Sequence, residues 1–305
     1  MSASGSSTGP MLGVVNLDKP VGPTSHDMVG LLRRLTGTRR IGHAGTLDPL
    51  ASGVLPILVG MATRFSEELT GGRKRYDAVV RLGARSATDD AEGPITDTDA
   101  PPPEADAIRE ALRQFVGTYD QRPPDFSARK QGGTTAHRAA RAGAPIEVAP
   151  RRVTVDAIDL VSITPVDGQL DVRIDVTCGA GTYIRAIARD LGEALDCGGY
   201  LRALRRTEAA GLRAIDGIRP EQLEALAAEG RLAEAIQPVG ELLPLPRVTL
   251  DAYAAWRFLH GSSQPMGAMA EGRAVIYRGD ELLGIGRIGA GVLQPEKVVA
   301  GGMGE

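Results

Sequence analysis

Cysteine and histidine are scarce in this chain of 305 residues, which has two of the first and four of the second. Cys178 and Cys197 cannot form a disulfide framework, and neither sits in a CxxC pair. Both are expected as reduced, buried thiols of a cytoplasmic protein. The histidines are scattered without ligand spacing, so no metal site is expected. No apolar run is long enough to span a membrane. The opening MSASGSSTGP lacks the basic start and apolar stretch of a secretion signal, and residues 1–10 read as a disordered tail. The glycine-rich stretch GHAGTLDPLASG has neither the Lys-Ser/Thr of a P-loop nor the G-x-G-x-x-G spacing, so it does not read as a phosphate-binding loop.

A basic excess is missing as well. The formal net charge is −3, which argues against a uniformly basic nucleic-acid binder. What is present is an ordinary globular composition, 42% hydrophobic and 24% charged, with length for more than one domain. The average charge hides segregation. Residues 89–110 carry eight acids against the single base Arg109, while residues 128–152 carry six bases against the single acid Glu147. Arg33, Arg34, Arg39 and Arg40 form a third cluster. One such patch reads as a solvated face. Three of them near candidate site residues point to a polyanionic partner held through its phosphates.

Periodicity gives the organisation. MLGVVNL reads as a strand and TSHDMVGLLRRLTG as a helix that Thr24 or Ser25 caps and Gly37 ends. A glycine-rich stretch follows as an irregular loop, then a buried strand GVLPILVG, a short helix ATRFSEELTGG and the alternating strand KRYDAVVRLG. The acidic stretch is a connector into the helix EADAIREALRQFVG. Residues 123–150 form a basic insertion with its own short helix, TAHRAARAG. Two alternating strands, VTVDAIDLVSI and QLDVRIDVTC, are joined by a turn. TYIRAIARDLGEALD and PEQLEALAAEG are helices around the extended YLRALRRTEAAG. The proline-rich LLPLPRV places a domain boundary near 245 and predicts that residues 1–245 fold without the tail. Residues 246–305 hold one helix and short strands. Strands and helices do not alternate regularly, which favours an α+β fold around a mixed or antiparallel sheet.

The stretch GHAGTLDPLASGVL carries one carboxylate, Asp48, among apolar residues and glycines. Asp before Pro is a common turn former. A carboxylate on a loop beside a core strand also suits a nucleophile or general base. Composition and spacing leave both readings open.

GHAGTLDPLASGVLPILVG closely resembles the signature of the TruB-type tRNA pseudouridine synthases. DKPVGPTSHDMV, which contains Lys19, resembles the opening motif of that family, and KRYDAVVRLG its tyrosine-bearing strand. ATDDAEG, FSARK, GTYIRAIARDLGEAL and LRALRRT follow in the family's order. The resemblance covers residues 11–215, and residues 246–305 resemble more loosely a small RNA-binding PUA domain. It implies isomerisation of uridine to pseudouridine at position 55 of the tRNA T-loop, without cofactor, by a monomer that needs no protein partner. Asp48 matches the catalytic aspartate and Arg185 the arginine that pairs with it. Tyr76 matches the tyrosine that packs on the target base, Tyr183 a second pocket tyrosine and Leu204 an apolar pocket residue. His43 matches a residue that fills the space of the flipped base. Lys130 opens a basic insertion that the family uses as a thumb over the T-arm stem-loop, and Lys19 joins the substrate-binding set. The chain departs from the family in the thumb, where Ala136–His137 replaces an aromatic and QGGTT is poor in bases. Two other readings remain: a non-catalytic tRNA-binding factor, which would keep the basic patches without the pocket, and an unrelated hydrolase that uses Asp48 as nucleophile.

Overall fold

The computed structural model of the chain describes residues 12–124, 130–131, 134–135, 149–267 and 270–299. In chain order the strands are β1 (Gly13–Lys19), β2 (Ile41–His43), β3 (Ala51–Val59), β4 (Lys74–Leu82), β5 (Ala84–Ser86), β6 (Ile95–Asp97), β7 (Gly117–Gln121), β8 (Lys130–Gln131) and β9 (Thr134–Thr135). They continue as β10 (Arg151–Val166), β11 (Gln169–Cys178), β12 (Gly199–Ala209), β13 (Leu212–Arg213), β14 (Arg247–Thr249), β15 (Gln264–Pro265), β16 (Gly272–Arg278), β17 (Glu281–Gly289) and β18 (Val292–Val298).

The main sheet runs β1-β3-β12-β4-β11-β10-β7, with β2 beside β3 and β13 beside β12. All its pairings are antiparallel except β3 with β12, where Leu204, Arg205 and Arg206 face Ala51, Ser52 and Gly53. That makes the sheet mixed, in an α+β chain. Alternation explains the strands. On β4 the even positions Lys74, Tyr76, Ala78, Val80 and Leu82 are buried while Arg75 is exposed, as a period of two requires. The helix Ser25–Thr36 begins in a capping box, in which the Thr24 hydroxyl accepts from Asp27 N–H and the Asp27 carboxylate accepts from Thr24 N–H. It buries Met28, Val29, Leu31 and Leu32 against one half of the sheet. The helices Ala105–Arg113 and Ile184–Ala194 cover the other half through Ile108, Leu112, Ile187 and Leu191.

Two local readings change. The glycine-rich stretch is irregular only from Ala44 to Leu50, because Ile41–His43 pairs with β3. The acidic connector contains a short hairpin, β5 with β6. The helix expected in the basic insertion lies outside the described residues. So does the side chain of Lys130, whose backbone sits on β8.

Residues 246–299 form a second sheet, β14-β16-β17-β18-β15, which packs on the helix Ala252–Leu259 through Phe258, Ile276 and Leu293. Beside that core of its own, the second part shares a further apolar cluster with the main body across the proline-rich joint. Val275, Tyr277, Ile285 and Val299 of this second part share one apolar cluster with Val14, Val54, Leu58, Phe65 and Leu69 of the main body.

Candidate active site

The loop that carries Asp48 is fixed from three directions. Ser25, buried at the start of its helix, accepts from Leu47 N–H at 2.8 Å and donates to Leu47 C=O at 2.9 Å. The Lys19 ammonium, buried beneath the loop, donates to the carbonyls of Pro20 and Pro23 at 2.8 and 2.7 Å and reaches Pro49 C=O at 3.5 Å. Arg206, fully buried, donates to the carbonyls of Gly45, Thr46 and Val54 at 3.0, 3.3 and 2.7 Å. Each cation or hydroxyl satisfies backbone groups that an irregular buried loop otherwise leaves unpaired. Gly45 has φ +105°, and a Cβ there would stand 3.5 Å from the Arg206 guanidinium. Glycine lets loop and arginine meet in that backbone conformation.

Asp48 is held on its far side by Arg185, whose Nε lies 3.1 Å from Asp48 Oδ2. Arg185 is the second residue of the helix Ile184–Ala194. Its Nη1 meets Asp90 Oδ2 at 3.2 Å and Thr88 C=O at 3.1 Å. Asp90 is fixed in turn by Thr88 Oγ1 and by Glu92 N–H, at 2.5 and 3.0 Å. The Asp48 side chain is 41% exposed, whereas those of Arg185 and Asp90 are 8% and 3% exposed. The guanidinium thus bridges a buried carboxylate and an accessible one, and its planar fork sets the direction of the accessible one.

Asp48, Tyr76, Tyr183, Arg185, Leu204 and Arg206 line one cavity of about 340 Å³ together with Thr70 and Lys74. Tyr76 faces Arg206 across the β4–β12 pair. Burial pushes the Tyr76 phenol above its ordinary value, and the Arg206 guanidinium works against that. Burial also draws the Lys74 ammonium down to about 8, with Arg206 adding to the effect. Tyr183 precedes the helix and is clamped by buried Gln121, which accepts from Tyr183 N–H at 2.9 Å and donates to its carbonyl at 3.1 Å. Leu204 packs between the two apolar clusters that cover the halves of the sheet.

His43 stands apart from this group. With His26, Glu92 and Asp90 it lines an adjoining cavity of about 570 Å³, which Asp48 and Arg185 also border. Its buried Nδ1 has no hydrogen-bond partner among the described residues. Burial first, then the charges of Arg206 and His26, hold the imidazole below its ordinary pKa. Lys19 lines neither cavity. Burial lowers it to about 8 against the pull of the Asp48 and Glu92 carboxylates. Its place under the loop makes it a support for Asp48.

Sequence reasoning passed over Asp90, Arg206, Gln121 and the loop-holding role of Ser25. Asp90 and Arg206 lie inside segments already singled out, ATDDAEG and LRALRRT, so their signal was position. Nothing in the local pattern marks Gln121. Among the described residues no group of three or more His, Cys, Asp or Glu is placed to hold a metal ion. No helix there is long and apolar enough to cross a membrane.

Comparison with known proteins identifies the family. Residues 33–184 match the TruB family pseudouridylate synthase N-terminal domain, and residues 185–244 match the tRNA pseudouridylate synthase B C-terminal domain. A tRNA pseudouridine synthase B of Burkholderia mallei is 43% identical over 299 residues, covering 95% of this chain and 97% of that one. Its counterpart from Ralstonia nicotianae is 43% identical over 295 residues, 94% of each chain. A chain in the structure of an H/ACA RNP bound to a substrate RNA containing 2′-deoxyuridine superposes with a TM-score of 0.70 at 26% identity, covering 94% of this chain and 84% of that one. The two family models span residues 33–244, and with relatives 43% identical over most of the chain they place it in the TruB family of pseudouridylate synthases.

Proposed function

We propose that this enzyme converts uridine to pseudouridine in tRNA, at position 55 of the T-loop, with Asp48 as its catalytic carboxylate. The observation that carries the reading is the Arg185–Asp48 pair at 3.1 Å on the wall of the cavity lined by Tyr76, Tyr183 and Leu204. The curated relatives are named for tRNA pseudouridine synthesis, which supports tRNA as the substrate here.

The reaction detaches the uracil from C1′, turns it, and rejoins it through C5. The C5 proton leaves and N1 gains a proton, so the change is an isomerisation with no net redox step. A base paired or stacked inside a folded loop is out of reach of Asp48, so the nucleotide is extruded into the cavity. There the Tyr76 ring packs on the uracil, and the buried, protonated phenol stands beside the C5 position. Leu204 and Tyr183 complete an apolar enclosure that keeps the detached base from diffusing away and excludes water from C1′. Arg185 fixes the carboxylate toward the sugar or ring. Neutral His43 borders the adjoining cavity, suited to stack on the nucleotides left by the extruded base. The thumb, from Lys130 onward, and the PUA-like C-terminal part supply further contacts to the T-arm and the rest of the tRNA.

Tritium release from tRNA labelled at uridine C5 tests the reading. A synthase releases one tritium per modified uridine, and mapping places the product at position 55. A non-catalytic binding factor or a hydrolase releases none.

A further inference from the structure

The short helix Ser66–Thr70 stands between the catalytic cavity and the C-terminal sheet. A five-residue helix does not hold itself together in water, so its position is set by what grips it. The C-terminal part grips it on one side. The Glu68 side chain, only 6% exposed, accepts from Arg273 Nη2 at 2.7 Å and from Lys297 Nζ at 3.0 Å. Lys297 also meets Glu67 at 3.1 Å. Phe65 and Leu69 are buried in the cluster that contains Val275, Ile285 and Val299.

On the other side the same segment builds the cavity. Thr70 lines it, and the carbonyls of Thr70 and Gly72 each accept from Lys74 Nζ at 2.7 Å. Lys74 lies two residues from Tyr76 on the same buried face of β4. Ser66 Oγ donates to His43 C=O at 3.4 Å. A shift of this helix therefore moves Thr70, Lys74 and the strand that presents Tyr76.

Taking the modification reading above as its basis, we propose that Glu68 is a positioning residue for the reaction. Through it the C-terminal part sets the cavity wall and governs turnover, in addition to any contact it makes with RNA. A buried carboxylate that loses its charge weakens its hold on both cations; Arg273 then keeps Glu296 and Lys297 keeps the exposed Glu67, and the grip on the helix loosens.

The test uses the full-length protein and a whole tRNA transcript. Single-turnover rate constants and dissociation constants are measured for wild type, Glu68→Gln, Arg273→Gln, Arg273→Lys and the Glu68→Gln/Arg273→Gln double variant, each checked by thermal melting. The single neutralising variants are expected to lose about tenfold in rate from a misplaced wall. Their tRNA affinity should stay within about twofold of wild type, and the double variant should be no worse than the poorer single one. Arg273→Lys, which keeps the charge, should recover most of the rate. If Glu68→Gln does not fold, Arg273→Gln at a more accessible position carries the same comparison. Rates equal to wild type in folded variants overturn the proposal, as does a loss confined to affinity. Failure of the functional reading is separate and visible at once, because wild-type protein would then form no pseudouridine.

Discussion

Asp90 and Asp48 face the same guanidinium from opposite ends: Arg185 Nη1 lies 3.2 Å from Asp90 Oδ2, and Arg185 Nε lies 3.1 Å from Asp48 Oδ2. Asp90 is the buried anchor of that bridge. Replacing it by asparagine keeps the shape and removes the charge, so the fork is free to tilt. Asp90→Asn is expected to slow single-turnover modification by about 10- to 100-fold through misorientation of Asp48, with tRNA affinity unchanged. Asp90→Ala also removes the buried one of the two carboxylates on Arg185 and shows as a lower midpoint of thermal unfolding. A wild-type rate for Asp90→Asn would mean that Arg185 needs no second anchor.

Asp48→Asn removes the proposed catalytic charge from a side chain that is accessible in the cavity. The expected result is a rate loss of at least about 10²-fold, the scale of a positioned acid or base, while filter binding still detects the tRNA complex. Arg185→Lys keeps charge and loses the planar fork that spans Asp48 and Asp90. It should show a similarly severe loss. Turnover near wild type in either variant removes that residue from the mechanism.

The shared core alters what truncation does. Ending the chain after Leu245 removes Val275, Tyr277, Ile285 and Val299 from the apolar cluster they share with the main body and removes both cationic partners of Glu68. Exposing even two such apolar side chains costs about 3 kcal/mol or more. In a body of this size that is a fall of roughly 6–12 °C in melting temperature. Calorimetry of residues 1–245 checks it. An unchanged midpoint restores the view of a separable tail.

Glu68 also sets a pH dependence. Burial pushes its carboxyl up, but hydrogen bonds from Arg273 and Lys297 outweigh burial and hold it below its ordinary 4.5. A folded-state pKa below the unfolded one contributes stability above the unfolded value and loses it as pH falls through the folded value. The melting-temperature gap between wild type and Glu68→Gln should therefore be constant near neutrality and close below about pH 4.5. A gap that persists in acid would show that the variant loses packing and not charge.

Salt tests the polyanionic partner. If lysines and arginines, Lys130 and Arg129 among them, hold phosphates, affinity falls steeply and linearly on a log–log plot as bound cations return to the RNA. Neutralising Arg129 and Lys130 together should lower the slope by about 1–2. A flat dependence would place recognition elsewhere.

Much of this molecule is legible in the chain because its strands are half-buried. The alternation of β4 and of the β10–β11 hairpin is written directly in residue type. The helix Ser25–Thr36 announces itself through Thr24, Asp27 and Gly37. Asp48 and Arg185 could be read only as members of an ordered set of motifs, since each alone fits a turn or a surface helix. Asp90 was hidden in an acidic run most of whose members face solvent. Arg206 was hidden by its neighbours, since Arg202 and Arg205 pair with Asp171 and Asp18 at more open positions. Burial separates them, and burial of a single polar residue has no local sequence signal. The apolar cluster shared across the proline-rich joint was hidden for a related reason. Proline marks where a chain turns, and it carries no information on whether the parts it joins share a core.

The parallel seam between β3 and β12 has a consequence for the order of assembly. Only three residue pairs make it, and a Cβ at Gly53, whose φ is +100°, would stand 2.1 Å from the Arg206 carbonyl oxygen. Asp48 enters from one side of this seam. Tyr76, Leu204 and Arg206 belong to the strands on the other. The partners are about 150 residues apart in sequence, a separation that folding closes late. A refolding chain can thus complete its hairpins and helices and still have no active site. Recovery of activity then reports on the closing of long-range junctions, and the width of this one is set by a residue without a side chain.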